Sequence, residues 1–333
     1  MSDRPLSVQD LGEPGLLKKL QRFCPQDVVG DDGAILPTDP DKSLVVTTDV
    51  LVDEVHFSDR TTSAFNVGWR ATSANLSDLA AMGATPLGIT VGLSLPIDKL
   101  VSWVEELYSG IDACLKVYQT PLVGGDVCRS TVTSLAITAL GEVIPHQAIR
   151  RNLAQPGDAI VVTGLHGLSR GGLELLLHPS KGSSLEQAEK DRLITAHQRP
   201  KPRLDVLPYL ASIPEEIAIA GMDSSDGLAD ALQQICHCSG VGAKINLSSL
   251  TIFPGLTKLA GKELADEWLL YGGEDFELVL CLPRKFATNL LQDLGEDAAI
   301  IGEITQDRQI KLVSVDNSSK IKTLNISKRF QHF

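Results

Sequence analysis

The sequence is short of basic residues for its size. Lys and Arg together number 30 in 333 residues, against 42 Asp and Glu, so the formal net charge at pH 7 is −12. A broad basic surface for nucleic acid or for an anionic membrane is therefore not expected. An anionic ligand would have to approach through metal ions or local arginine side chains. The apolar content of 43% is enough to build an ordinary core in each of two medium domains.

Cysteine is scarce and carries no metal-site pattern. The six cysteines lack the paired spacing of a zinc site, and they lie at positions 24, 114, 128, 236, 238 and 281. Free thiols in a reducing cytoplasm are the favoured interpretation. The first 20 residues are mixed and charged, without the basic start and apolar stretch of a secretory signal, so we expect a cytoplasmic protein.

Only one long uncharged run is present, at residues 79–97. Its length is close to that of a membrane span. Pro86, Pro96 and three glycines interrupt it, which is typical of a helix end, a turn and a buried strand. We therefore interpret the run as core, not membrane.

The usual nucleotide-binding motifs are also missing. No Gly-x-x-x-x-Gly-Lys-Ser/Thr phosphate loop occurs, since Gly261-Lys262 is followed by Glu263 and lacks the earlier glycine. The glycine-rich stretch 164–172 does not match the dinucleotide pattern, and the His-Arg-Asp and Asp-Phe-Gly motifs of protein kinases are absent. The familiar nucleotide folds are therefore not expected.

Short acidic clusters are what the chain has instead. The six are Asp31-Asp32, Thr47-Thr48-Asp49, Asn75-Leu76-Ser77-Asp78, Gly124-Gly125-Asp126, Asp223-Ser224-Ser225-Asp226 and Gly272-Gly273-Glu274-Asp275. Any one of them can simply mark a surface turn, because Asp, Gly, Ser and Asn are ordinary turn residues. Gathered in one site, the carboxylates would repel each other by several kcal/mol unless cations such as Mg²⁺ were held among them. Such a site can neutralise and align phosphate oxygens without a phosphate loop.

The secondary-structure pattern predicts a two-domain α/β (α+β) protein. A Val- and Thr-rich strand at residues 43–50 ends at Asp49, and a helix at 63–82 places Asn75 and Asp78 on one face. A short strand at 120–123 leads to the Gly-Gly-Asp cluster. Further strands are predicted at 87–95, 131–144, 159–163, 217–221, 276–282, 298–304 and 309–313, and helices at 98–118, 169–177, 185–197, 202–212 and 228–238.

A hinge is predicted at residues 150–158, where Pro156-Gly157 forms a turn between two sets of alternating elements. This divides the chain into residues 1–150 and 151–333. We expect a mixed sheet in the first domain and an α/β arrangement in the second.

The order of the clusters resembles the thiamine-monophosphate kinase family, which belongs to the superfamily of aminoimidazole ribonucleotide synthetase. The most specific piece is Asn75 to Ala84, Asn-Leu-Ser-Asp-Leu-Ala-Ala-Met-Gly-Ala. The other matching motifs are Gly30-Asp31-Asp32-Gly33-Ala34, Thr47-Thr48-Asp49, His56-Phe57, Gly124-Gly125-Asp126, Ser225-Asp226-Gly227 and Gly272-Gly273-Glu274-Asp275. The resemblance implies that N-terminal domains pair in a homodimer, with ATP bound near that interface. It also implies direct transfer of the ATP γ-phosphoryl group to thiamine monophosphate, assisted by several Mg²⁺ ions.

The resemblance further assigns roles by motif. The implied Mg²⁺ ligands are Asp32, Thr47, Thr48, Asp49, Asp78, Asp126, Asp223 and Asp226, and Asp126 and Asp226 are the implied catalytic pair. The implied ATP contacts are Tyr108, Gly125, Asp126, Arg151 and Ser225. The residues implied to face thiamine monophosphate are His56, Glu274 and Phe330. Taken alone, His56, Arg151 and Phe330 also fit ordinary roles as a strand-end histidine, a solvated arginine and a packed terminal aromatic.

Two alternatives stay open at this point. An aminoimidazole ribonucleotide synthetase would use ATP on an amide-bearing ribonucleotide. A non-catalytic nucleotide sensor would keep the metal-binding acids and lack turnover.

Overall fold

The computed structural model describes residues 5–25, 34–313 and 322–324, and it confirms the predicted mixed α/β fold. The helices are α1 (Val8–Leu20), α2 (Ala64–Ala81), α3 (Val101–Val117), α4 (Leu168–Leu177), α5 (Gln187–Gln198), α6 (Leu207–Leu210), α7 (Leu228–Ser239), α8 (Pro254–Ala260), α9 (Lys262–Tyr271) and α10 (Arg284–Leu294). The strands are β1 (Ser43–Val52), β2 (Thr85–Leu95), β3 (Leu122–Arg129), β4 (Ser134–Val143), β5 (Ala159–Val162), β6 (Ala220–Asp223), β7 (Gly242–Asn246), β8 (Leu278–Leu282), β9 (Ala299–Thr305), β10 (Ile310–Val313) and β11 (Lys322–Thr323).

Contacts divide the chain into two compact units. The first comprises Met1–Leu79 and Thr85–Glu142, and the second comprises Ala80–Ala84 and Val143–Phe333. The functional division into residues 1–150 and 151–333 stays a prediction.

The first unit contains a four-stranded sheet in the order β1-β4-β2-β3. β2 pairs in parallel with β3 and antiparallel with β4. Side chains alternate along β1, so that Leu44, Val46 and Val50 lie on an outer face with about half of their surface exposed. The residues between them, such as Thr47 and Asp49, are less exposed and lie on the inner face.

The second unit contains a seven-stranded sheet in the order β11-β10-β7-β9-β5-β8-β6. β7 and β10 run in parallel, and the remaining neighbours are antiparallel. Every residue of β5, β6 and β8 is buried. Two separate clusters of buried apolar side chains draw on alternate residues of these strands, which is the pattern of a sheet covered on both faces. These central strands can therefore hold chain ends and turns in fixed positions.

Two local predictions are corrected by the structure, and a third difference is a strand that was not predicted. The Gly124-Gly125-Asp126 cluster lies inside β3, because the strand continues to Arg129. The helix expected at 202–212 is a 3₁₀ turn followed by the four-residue α6, since Pro202 and Pro208 cannot donate the backbone hydrogen bonds of a continuous helix. β7 had no sequence prediction, because its five residues include Gly242 and Lys244 and show no clear alternation.

No helix within residues 5–25, 34–313 and 322–324 combines the length and the apolar content that a membrane span requires.

Candidate functional site

One group of predicted site residues meets where β1 faces α2. The Thr47 hydroxyl donates to Asp78 Oδ2 over 2.5 Å, and the Asp49 backbone N–H donates to Asn75 Oδ1 over 3.2 Å. Asn75 is fully buried and donates its amide to the Ala71 carbonyl, which fixes its orientation. The prediction that Asn75 and Asp78 share a helix face is thus confirmed, and both meet the same strand.

Thr48 lies on the opposite face of β1. Its hydroxyl is 2.8 Å from the Thr138 hydroxyl on the outer face of the sheet. Adjacent residues of a strand point to opposite sides, so Thr47 and Thr48 cannot both direct their hydroxyls at one ion. A ligand role for Thr48 would use its backbone carbonyl.

Asp126 lies on a different edge of the same sheet. It is an exposed residue of β3, in register with Gly92 of β2. The strand order puts β1 and β3 three strand spacings apart, which is roughly 14 Å along the sheet. Steric crowding explains why the neighbouring residue 125 is glycine, because a Cβ there would lie 2.3 Å from the Val91 carbonyl oxygen. The structure therefore does not bring Asp126 beside Asp49.

The fifth and sixth acidic clusters are neighbours in the second unit. Asp223 is buried at the end of β6 and accepts a hydrogen bond from the Ser225 hydroxyl over 3.0 Å. The Glu274 backbone N–H donates to the Ser225 carbonyl over 2.7 Å. A Cβ at Gly273 would lie 2.4 Å from that same carbonyl, so only glycine permits this approach. The half-buried Glu274 is thereby held next to the turn that carries Ser225 and the exposed Asp226.

The glycine-rich stretch 164–172 forms the start of α4. The Gly167 and Ser169 backbone N–H groups donate to the Asp275 carboxylate over 2.6 and 2.8 Å. A helix N-terminus of this kind commonly binds phosphate. Here the protein's own carboxylate takes that place.

The remaining predicted residues lie in varied surroundings. His56 follows β1, and its Nδ1 accepts a hydrogen bond from the Val52 N–H over 3.0 Å. Tyr108 of α3 is buried, with its ring 5.8 Å from that of Phe23. The exposed Arg151 donates to Gln234 of α7 over 2.6 Å. Asp32 and Phe330 lie outside the described residues, so their roles stay predictions.

A partly buried polar network around Glu277, three residues after Glu274, had no sequence prediction. The Glu277 carboxylate accepts hydrogen bonds from Thr163 Oγ1 over 2.6 Å and from Arg203 over 2.7 Å. The Glu277 carbonyl accepts one from the Ser224 N–H over 2.8 Å. The available signal was a glutamate at the start of an otherwise apolar strand, which requires a partner when buried. The network ties the Asp223–Asp226 turn to β8.

The buried His166 makes stability depend on pH. It is 2% exposed, and burial lowers its pKa from 6.5 to about 4. As the pH falls through 6.5, the His166 side chain becomes protonated in the unfolded chain. In the folded chain it stays neutral until about pH 4. This costs about 3 kcal/mol of unfolding free energy once the pH is below both pKa values. His166→Asn is expected to abolish that loss, measured by denaturant unfolding at several pH values.

His237→Asn at the exposed end of α7 is the matched control, and it should leave the loss of stability caused by His166 in place. Asp275 acts in the opposite direction, because burial raises its pKa to about 7 and its folded form binds a proton first as pH falls. The difference between His166→Asn and wild type isolates the histidine. Equal pH profiles would contradict the assignment.

The donors around β1 and α2 suit a hard cation. Within residues 5–25, 34–313 and 322–324, no group of three or more His, Cys, Asp or Glu side chains is arranged so that it could hold a metal ion. Mg²⁺ is commonly held by one or two carboxylates, with water and substrate phosphate completing its shell. Asp49 and Asp78 are both half-buried, and Asp78 accepts a hydrogen bond from the Thr47 hydroxyl, so both residues remain partly accessible to solvent. Asp223 and the exposed Asp226 offer a second set of oxygen donors.

Comparisons with known proteins match the whole chain. Residues 30–143 match the N-terminal domain of AIR synthase related protein, and residues 155–315 match its C-terminal domain. A thiamine-monophosphate kinase from Synechococcus elongatus is 52% identical over 100% of this chain and 99% of its own length. The Bacillus subtilis thiamine-monophosphate kinase is 38% identical, covering 75% of each chain.

Solved structures give the same result. The structure of AaThiL complexed with AMPPCP and TMP matches with a TM-score of 0.76 at 31% identity, covering 100% of both chains. The thiamine-monophosphate kinase from Stenotrophomonas maltophilia also has a TM-score of 0.76, at 34% identity, covering 89% of this chain and 94% of that one. Identity of 52% over the full length, together with the two domain matches, shows that this chain belongs to the thiamine-monophosphate kinase family.

Proposed function

We propose that this chain phosphorylates thiamine monophosphate with ATP, giving thiamine diphosphate and ADP. The observation that carries the proposal is full-length similarity to thiamine-monophosphate kinases, one of them 52% identical. A solved relative of the same fold holds AMPPCP, which has the form of ATP, together with TMP. The absence of a phosphate loop from this sequence agrees with a kinase that relies on metal-bound phosphates.

The reaction needs alignment and charge neutralisation more than proton transfer. A phosphate oxygen of thiamine monophosphate attacks the γ-phosphorus of ATP in line, a new P–O bond forms, and the bond to the β-phosphate oxygen breaks. The attacking oxygen is already ionised at neutral pH, so no general base is required. Bound Mg²⁺ would neutralise the negative charge on the phosphates.

The chain's own residues divide this work between two groups. Residues 1–150 would supply oxygen ligands from Thr47, Thr48, Asp49, Asp78 and Asp126, as well as Asp32. Residues 151–333 would add Asp223 and Asp226, and Asp126 and Asp226 are the proposed catalytic residues. The Thr47–Asp78 and Ser225–Asp223 hydrogen bonds support this division, because each orients a carboxylate before any ligand binds.

The organic parts of the substrates would meet other residues. Gly125, Arg151, Ser225 and Tyr108 are proposed on the ATP side, and His56, Glu274 and Phe330 on the thiamine side. The half-buried Glu274 supports its role, because a carboxylate can accept hydrogen bonds from an aminopyrimidine. Little of the Tyr108 ring is accessible, so this buried side chain would support the shape of the ATP site from the protein interior. A cytoplasmic location belongs to the same proposal.

We further propose that two copies pair through the outer face of the four-stranded sheet. Leu44, Val46 and Val50 expose 53%, 56% and 50% of their surface in a row along β1. The neighbouring β4 presents Ala136 and Leu140 on the same side as Thr138, which contacts Thr48. A contiguous apolar sheet face of this kind marks an interaction surface. A second copy of the chain is the occupant that the family resemblance implies.

The function is tested by incubating the protein with ATP, Mg²⁺ and thiamine monophosphate. Thiamine diphosphate and ADP are expected in equal amounts, and a chelator should stop the reaction. Unphosphorylated thiamine is the matched control acceptor, because it lacks the attacking phosphate. ADP-bound protein without thiamine diphosphate would indicate a nucleotide sensor, and turnover of an amide-bearing ribonucleotide would indicate the synthetase alternative.

A further inference from the structure

The Asp275 carboxyl group is an internal hydrogen-bond acceptor at the N-terminus of α4. Only 9% of the residue is exposed, and its two oxygens accept hydrogen bonds from the Gly167 and Ser169 N–H groups over 2.6 and 2.8 Å. Negative charge is favourable at the N-terminus of a helix, where the first N–H groups have no partner within the helix. Asp275 thus connects the glycine-rich loop after β5 to the turn before β8.

The turn around Asp275 has an unusual backbone. Glu274 has φ 66° and Phe276 has φ 53°, so the residues on both sides of Asp275 are left-handed without being glycine. Such conformations persist only where surrounding contacts hold them, and they cluster at functional sites. Two contacts hold this turn on either side: Asp275 on α4, and the Glu274 N–H on the Ser225 carbonyl over 2.7 Å.

We propose that Asp275 is a positioning residue, whose contact with α4 holds Glu274 in place and thereby sets the affinity for the phosphate acceptor. The inference rests on the proposed function, in which Glu274 faces thiamine monophosphate. Asp275 itself is buried and need not touch substrate. Asp275 also prevents phosphate from binding at the glycine-rich loop, because its carboxylate already accepts hydrogen bonds from the N–H groups that a phosphate would bind.

Asp275→Asn tests the role with the smallest change in volume. The asparagine amide turns an N–H₂ group toward at least one of two backbone donors, so one hydrogen bond is lost. We expect the KM for thiamine monophosphate to rise about 10-fold or more, whereas the KM for ATP stays within about twofold. Asp158→Asn is the matched control, because Asp158 is 8% exposed and accepts a hydrogen bond from the Gln155 N–H over 2.8 Å, away from Glu274. The control should lower stability and leave both KM values unchanged.

Asp275→Ala allows chemical rescue by formate. The substitution empties the space of the carboxylate and leaves the Gly167 and Ser169 donors unpaired, so formate at millimolar concentration is expected to lower the acceptor KM again. Formate should have no effect on wild type or on the Asp158 control. A folded Asp275→Asn protein with an unchanged acceptor KM would overturn the proposal, as would a parallel rise in both KM values.

Amide hydrogen exchange separates this inference from the proposed function. Faster exchange at Gly167, Ser169 and Glu274 is expected in Asp275→Asn but not in Asp158→Asn, whether or not the protein turns over substrate. Unchanged exchange would refute the anchoring contact itself. A wild-type protein that makes no thiamine diphosphate would refute the proposed function, and the exchange result would still decide whether Asp275 holds the turn.

Discussion

Asp126→Asn is expected to reduce turnover by about 100-fold or more, because under the proposed function it removes one carboxylate from the set that would hold metal-bound phosphates. Asp126 is exposed on β3. Its loss should therefore change the unfolding free energy by less than about 0.5 kcal/mol. The measurements are steady-state kinetics over a range of Mg²⁺ concentrations and a denaturant titration of the same samples.

The position of Asp126 makes this substitution a test of whether β3 contributes to the site. Thr47 and Asp49 of β1 make hydrogen bonds to Asp78 and Asn75 of α2, and β3 is at the opposite edge of the sheet from β1. If Asp126 holds metal, its activity loss should be relieved in part by high Mg²⁺. Asp98→Asn, an exposed acid in the turn after β2, is the matched control and should retain full turnover. Wild-type activity of Asp126→Asn at low Mg²⁺ would remove β3 from the site.

The double substitution of Val46 and Val50 by glutamate is expected to convert a dimer into monomers. Fully burying one valine contributes about 1.5 to 3 kcal/mol, so completing the burial of a half-exposed valine contributes about half of that, and a two-fold symmetric interface buries each of the two valines twice. The dissociation constant should therefore rise by about 10²-fold or more, since each 1.4 kcal/mol is a factor of ten. Sedimentation velocity over a range of concentrations measures the change.

Val117→Glu is the control for this experiment, because Val117 is 59% exposed at the end of α3 and not on the sheet face. It should stay dimeric. The far-UV circular dichroism of both variants should match wild type, since the substituted side chains are on the surface. If the double variant stays dimeric, the interface lies on another surface. If the wild type is monomeric at all concentrations, the pairing is refuted.

Local structure followed the sequence closely where the pattern was long. The helix expected at 63–82 is α2 at Ala64–Ala81, and the strand expected at 43–50 is β1 at Ser43–Val52. Both have enough residues for periodicity to be clear. The 202–212 segment failed as a helix because local prolines interrupt the hydrogen-bond pattern.

The candidate site was predictable as a list of residues but not as an arrangement. Spacing along one helix placed Asn75 and Asp78 together, since residues three apart share a face. Nothing in the sequence indicated that Glu274 would bind the Ser225 carbonyl, or that Asp126 would lie at the far edge of the sheet from Asp49. Those relations depend on strand order and on contacts between distant parts of the chain.

The sequence by itself determined the kind of chemistry this protein offers: carboxylate and hydroxyl oxygens in short clusters, no phosphate loop, and an acidic surface. Residue type and spacing are local properties, and they limit which ligands can be held. Only the tertiary structure decided which clusters are neighbours. It joined Asp223 and Ser225 to Glu274, and it gave Asp275 the N-terminus of α4 as a partner. The physical reason is that a buried carboxylate needs donors, and packing determines which donors reach it.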